Sequence, residues 1–189
     1  MTMTRMRNCS AAIGLAISLS LTAVRADDSP TTAPAAGEKV DNPLFAAWSK
    51  FDPGASCTYE TDMGPADHKM HLSATMTLKA KNADTVSVEV TSNVNGNPMP
   101  AQTMTLSAKI VAADAKKTGE QDVTIADKTY KCTVYELGPS AMGAAATAQP
   151  GEKITACVSE EVPGGMAKMT GRASDGQEMS MAMTSCKTK

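Results

Sequence analysis

Met179, Met181 and Met183 alternate with Ser180 and Ala182 near the end of the chain. On an extended strand all three side chains project from one face. Thioether sulfur is a soft ligand, so the chemistry this spacing offers is Cu(I) coordination. The same spacing also serves a buried sheet face that uses methionine as an adaptable filler. The chain has 14 methionines but only one Trp, three Tyr and two Phe. Methionine must therefore supply core volume, and we expect the core role at these three positions, with copper as the alternative.

His68 and His71 are the two histidines of the chain. Three apart on a helix they would converge on a metal, whereas on a strand they face opposite ways. A site here needs a turn that joins His68 to Asp62 and Asp67, which flank Gly64-Pro65. Solvated turn residues are the expectation, and so is a wet-face position for His71. Glu160 and Glu161 are neighbours that oppose each other on a strand, so they do not make a general acid/base couple. No nucleophile elbow, zinc-protease helix or phosphate-binding glycine loop appears. We expect no catalytic residue, no cofactor, no resident metal and no enzymatic activity.

The cysteines bear on where the protein works. Met1–Arg7 carries Arg5 and Arg7, Ala11–Val24 is uncharged and mostly apolar, and Val24-Arg25-Ala26 has the form of a cleavage site. This is the pattern of a secretory signal peptide, with the mature chain starting near Asp27 in the periplasm or outside the cell. The apolar run is short for a membrane span, and nothing later is long enough. The residues before Cys9 (Met6-Arg7-Asn8) are not those of a lipoprotein signal. Cys57, Cys132, Cys157 and Cys186 remain after cleavage, an even number in an oxidising compartment. Two disulfides are expected, with three pairings open. No C-x-x-C pair is present, which argues against a thioredoxin-like site or a zinc ribbon.

Charge narrows the partners. The leader takes Arg5, Arg7 and Arg25, so the mature chain is more acidic than the −2 of the whole and keeps Arg172 as its one arginine. Nucleic-acid binding needs a basic, arginine-bearing face and is not expected. No dense Lys/Arg cluster suggests an anionic membrane surface.

These residues are carried by a chain that alternates with period two. Val86, Val88 and Val90 point one way, as do Met70, Leu72, Ala74, Met76 and Leu78, and Met104, Leu106, Ala108 and Ile110. Such alternation predicts antiparallel strands with one buried face. Turn signals separate them at Gly64-Pro65, Asn82–Asp84, Asn95-Gly96, Lys117–Gly119, Ala126-Asp127, Pro163–Gly165 and Asp175-Gly176. Val162-Pro163-Gly164-Gly165 is expected to be a tight turn. About nine strands result by this count. Asp27–Asp41 is rich in Pro, Ala and Thr and is expected to be a flexible linker. Asn42 and Pro43 open a short helix. Phe45 and Trp48 share one of its faces, and Pro53-Gly54 stops it. Gly138–Gly151 interrupts the strands with a helical turn or ordered loop.

The expected organisation is a signal peptide at 1–26, a linker at 27–41 and one β-rich domain at 42–189. Its fold class is mainly β: a strongly curved antiparallel sheet, half-barrel or barrel-like, with one short N-terminal helix. A two-sheet sandwich is the rival. Phe45 and Trp48, at the mouth of such a sheet, are the candidate ligand-pocket residues.

Asn42-Pro43-Leu44-Phe45-Ala46-Ala47-Trp48 before Phe51-Asp52-Pro53-Gly54, then Lys131-Cys132, then Glu161-Val162-Pro163-Gly164-Gly165-Met166 together resemble a group of uncharacterised exported bacterial proteins. The resemblance spans most of 42–189. It implies an aromatic where this chain has Cys157 and Cys186, and hence a Cys157–Cys186 bond with Cys57–Cys132 as the remainder. It carries no activity to transfer. At the level of fold alone, a helix against a curved sheet is similar to periplasmic lipoprotein-carrier half-barrels. The expected function is non-catalytic binding of a lipid-like, apolar or amphipathic ligand, or of an envelope protein. A methionine-based copper protein and a purely structural or interaction domain are the alternatives.

Overall fold

In the computed structural model, residues 37–63, 70–143, 153–172 and 178–188 are described. The expected signal peptide, His68 with Asp67, and the Asp175-Gly176 turn lie outside them. The chain is mainly β: one ten-stranded antiparallel sheet, a two-stranded pair and one short helix near the N-terminal end.

The first strand, β1 (Lys39–Asp41), pairs with β7 (Lys109–Val111). This corrects the expected linker boundary at Asp41, because Lys39–Asp41 are held by backbone pairing despite their polar side chains. Helix α1 (Pro43–Ser49) follows, as Asn42 and Pro43 predict. Asn42 Oδ1 accepts from the backbone N–H of Leu44 at 3.0 Å. Its own backbone N–H donates to the carbonyl of Ala108 at 2.9 Å. The helix start is thus capped and pinned to the β1–β7 pair.

The large sheet is ordered β5-β4-β3-β2-β12-β11-β10-β9-β8, with β6 also paired to β4. Its strands are β2 (Ser56–Met63), β3 (Met70–Lys81), β4 (Thr85–Val94), β5 (Asn97–Pro98), β6 (Gln102–Ser107), β8 (Ala115–Ile125), β9 (Lys128–Leu137), β10 (Ile154–Val158), β11 (Met166–Arg172) and β12 (Glu178–Lys187). Most neighbours are consecutive, joined by the turns that Asn82–Asp84, Asn95-Gly96 and Ala126-Asp127 signal. Asn95 and Gly96 both take the positive φ that a tight hairpin turn requires. β4–β6 skips one strand, and the β2–β12 pairing joins segments from opposite ends of the domain. Register shifts at Leu78/Ala80, Lys117/Gly119, Cys157/Val158 and Met183/Ser185 mark four irregularities in the ladder. Extra residues at such places bend and twist a strand.

Burial follows the period-two pattern. Val86, Val88, Leu106 and Leu78 are wholly buried on one face, with Met104 and Ile110 beside them. The pattern fades along β3, where Leu72 is half-buried and Met70 is exposed. Helix α1 lays Leu44, Ala47 and Trp48 on this core. The turn Pro139–Met142 adds Ala141 beneath the Asn42 amide, whose Nδ2 donates to the Ala141 carbonyl.

Candidate functional site

Trp48 is 1% exposed and belongs to the core, not to a pocket. The glycines of the Val162–Gly165 turn explain why. A Cβ on Gly164 would sit 2.6 Å from Trp48 Cε2, and one on Gly165 would sit 2.8 Å from the Ala47 Cβ. Both glycines have positive φ, so the turn bends tightly and lies flat under the helix. Phe45 is half-buried and packs on the same core. The aromatic helix is packed in place, and neither the Phe45 nor the Trp48 ring lines the cavities described below.

A larger space lies elsewhere. Residues Gln121–Ala126 of β8 and its turn line, together with residues of β11 and β12, an open, shallow cavity of about 760 Å³. Val123, Ile125, Ala182 and Met183 give it apolar surface. Gln121, Asp122, Lys168, Ser180 and Thr184 give it hydrogen-bonding groups, with one carboxylate and one ammonium among them. Met183 is buried at its wall, while Ala182 and Thr184 are exposed. A second cavity of about 440 Å³ shares Gln121 and Asp122 and extends to Lys131 and Cys132. A third, about 180 Å³, lies beside α1 between Asp41, Ala46, Tyr135 and Glu160.

Local chemistry fixes the walls of the large cavity. Gln121 Nε2 donates to Cys157 Sγ across β9. Burial raises the Cys157 thiol above its usual range, while Lys168 and the Gln121 amide pull it back. Cys132 lies opposite Gln121 in the β8–β9 register. Its thiol is pushed up to about 11, by burial first and by Cys157 second. Across the wall, the Thr61 hydroxyl donates to the Ser180 carbonyl and ties β2 to β12.

The methionine pattern resolves into core packing where it is described. Met183 is 3% exposed and Met181 packs against the core. The Met179 side chain lies outside the described ones, although its backbone pairs with Gly171. His71 lies exposed on β3, with Nδ1 3.0 Å from Asp62 Oδ1. His68 falls outside the described residues. Among the described residues no group of three or more His, Cys, Asp and Glu side chains is arranged to hold a metal ion. Glu160 pairs with Lys50, and Glu161 with Lys128 at 3.0 Å, so the two carboxylates serve separate ion pairs.

Cys57, Cys132, Cys157 and Cys186 are all free thiols in this structure, so the expected two disulfides are not formed. The implied Cys157–Cys186 pairing is also corrected. Cys157 is on β10 and Cys186 on β12, with β11 between them. Strands spaced about 4.8 Å put such residues beyond the roughly 7 Å limit for bridging. Cys57 and Cys132 are likewise separated in the sheet by β12, β11 and β10. Cys186 instead lies directly opposite Cys57.

Sequence reasoning missed the β8 segment as a site wall, since Gln121–Ala126 carries no motif and only the long-range fold brings it against β12. No protein-family model matches the chain, and no curated protein matches it.

Proposed function

We propose that this is an exported, non-catalytic binding protein whose site is the cavity between β8 and the β11–β12 strands, and whose ligand is a small amphipathic molecule. The cavity's lining carries the reading. Its volume of about 760 Å³ falls in the range of roughly 300–1,000 Å³ common for small-molecule sites. Val123, Ile125, Ala182 and Met183 suit an apolar tail. Lys168 and Asp122 supply opposite charges that suit a zwitterionic head group.

The reading includes a strongly curved sheet that rolls β8 over the face of β11 and β12. Two observations support that curvature. β8 contacts β11 although β9 and β10 lie between them in the sheet order. Gln121 of β8 also reaches Cys157 of β10. The four ladder irregularities supply the bending that such a roll needs. Export rests on the leader at residues 1–26.

Titration with a lysophosphatidylcholine below its critical micelle concentration tests the site. Binding by the wild-type chain is expected, with at least a tenfold loss in Ala182→Trp, whose indole fills the cavity from an exposed position. Melting of that variant is expected to stay within a few degrees of wild type. Equal affinity in both proteins, or no binding by either, would overturn the proposal.

A further inference from the structure

We propose that Cys57 and Cys186 form a single redox-active disulfide that staples the first long strand of the sheet to the last. The two residues are register partners in the antiparallel β2–β12 ladder. Directly opposed residues in such a ladder have Cα atoms about 4.5 or 5.5 Å apart, depending on whether the pair is hydrogen-bonded. Both values lie inside the window a disulfide accepts without backbone movement. Cys132 and Cys157 do not share this geometry. Cys157 lies opposite Val134, which makes Cys132 its diagonal neighbour. Diagonal positions are about 7–8 Å apart, beyond that window, so this pair stays as thiols.

The surroundings assign the two sulfurs different tasks. Cys186 is exposed, whereas Cys57 is buried at 1% exposure. Burial, and then Cys186 itself, raise the Cys57 thiol far above its usual range. Tyr59 packs beside both cysteines, with its hydroxyl buried. Tyr130 reaches Cys186 from β9. An incoming disulfide therefore meets Cys186 first. With a low-molecular-weight disulfide RSSR as oxidant, the Cys186 thiolate attacks one sulfur and expels RS⁻, which leaves a mixed disulfide. Cys57 then loses its proton to the solvent or the departing thiolate, attacks the Cys186 sulfur and expels the second RS⁻. The protein loses two protons and two electrons, and RSSR becomes two RSH.

The bond closes a loop of about 130 residues, the kind of closure that constrains an unfolded chain most. Reduction is expected to lower Tm by roughly 10 °C. The test is incubation of the reduced full chain with oxidised glutathione, followed by intact mass, peptide mapping and melting. The proposal predicts loss of two hydrogens' mass, a peptide joining Cys57 to Cys186, and alkylatable Cys132 and Cys157 after unfolding. Cys186→Ser, at an exposed position, should melt like the reduced wild type and show no dependence on reductant. A peptide joining Cys186 to Cys157 would overturn the proposal. So would a stable glutathione adduct on Cys186 with Cys57 still free, or reductant-sensitive melting in Cys186→Ser. None of these outcomes depends on whether the cavity binds a ligand.

Discussion

Asn42 joins three parts of the molecule through one wholly buried side chain and its backbone. Its Oδ1 caps α1, its Nδ2 donates to Ala141 at 3.2 Å, and its N–H donates to Ala108. Removing the cap costs about 0.5–2 kcal/mol, and stranding the buried Ala141 carbonyl adds about 1–3 kcal/mol. Asn42→Ala is therefore expected to lose roughly 2–4 kcal/mol in urea unfolding; a loss below about 1 kcal/mol would contradict this role. Asn42→Asp keeps the acceptor but loses the donor, so it should fall between the two. Cys132 offers a second residue-scale check. Its folded thiol titrates near 11 against an ordinary value of 9.0. The folded state thus holds the proton more tightly, and that contribution is complete below pH 9 and is lost as pH rises towards about 11. Measured with reductant present, the urea midpoint should fall over this window, and less steeply in Cys132→Ala. Cys57 is shifted the same way, so some slope remains in the variant. Identical slopes in both proteins would refute the assignment.

At the scale of elements, local signals carried what could be read from the sequence. Asn42-Pro43 placed α1, Asn95-Gly96 placed a hairpin, and the Val86–Val88 alternation placed a buried face. Each is a property of a few adjacent residues. The β2–β12 pairing and the approach of β8 to β11 join segments far apart in the chain. No local pattern encodes them, so neither the cavity nor the Cys57–Cys186 pair was legible. The packing partner of Trp48 was not legible for a related reason. The aromatic face of the helix was clear, but its partner is the Pro163–Gly165 turn more than 100 residues away. That turn was legible as a turn and not as a platform for a ring. Gly164→Ala tests the platform directly. A Cβ 2.6 Å from the indole, at φ +77, forces both strain and displacement. The expected loss is about 2–4 kcal/mol, with a blue- or red-shifted Trp48 fluorescence maximum. A variant as stable as wild type, with unchanged fluorescence, would show that the ring does not rest on this turn.

For the whole molecule, one core and one open space share the same sheet. The core runs along the sheet from β3, β4 and β6 to β9–β12, with α1 laid on it and Trp48 against the Pro163–Gly165 turn. Beside it, residues of β8, β11 and β12 line an open volume with both polar and apolar groups. Cys57 and Cys186 face each other on the β2–β12 pair in the middle of the sheet order. The most direct test of the binding reading is native mass spectrometry of the full chain purified without reductant from a host that exports it, beside Ala182→Trp. The account predicts an adduct of amphiphile mass on the wild-type protein and its absence from the variant. An adduct retained equally by both, or a bare wild-type protein that also takes up no added lysophosphatidylcholine, would contradict it.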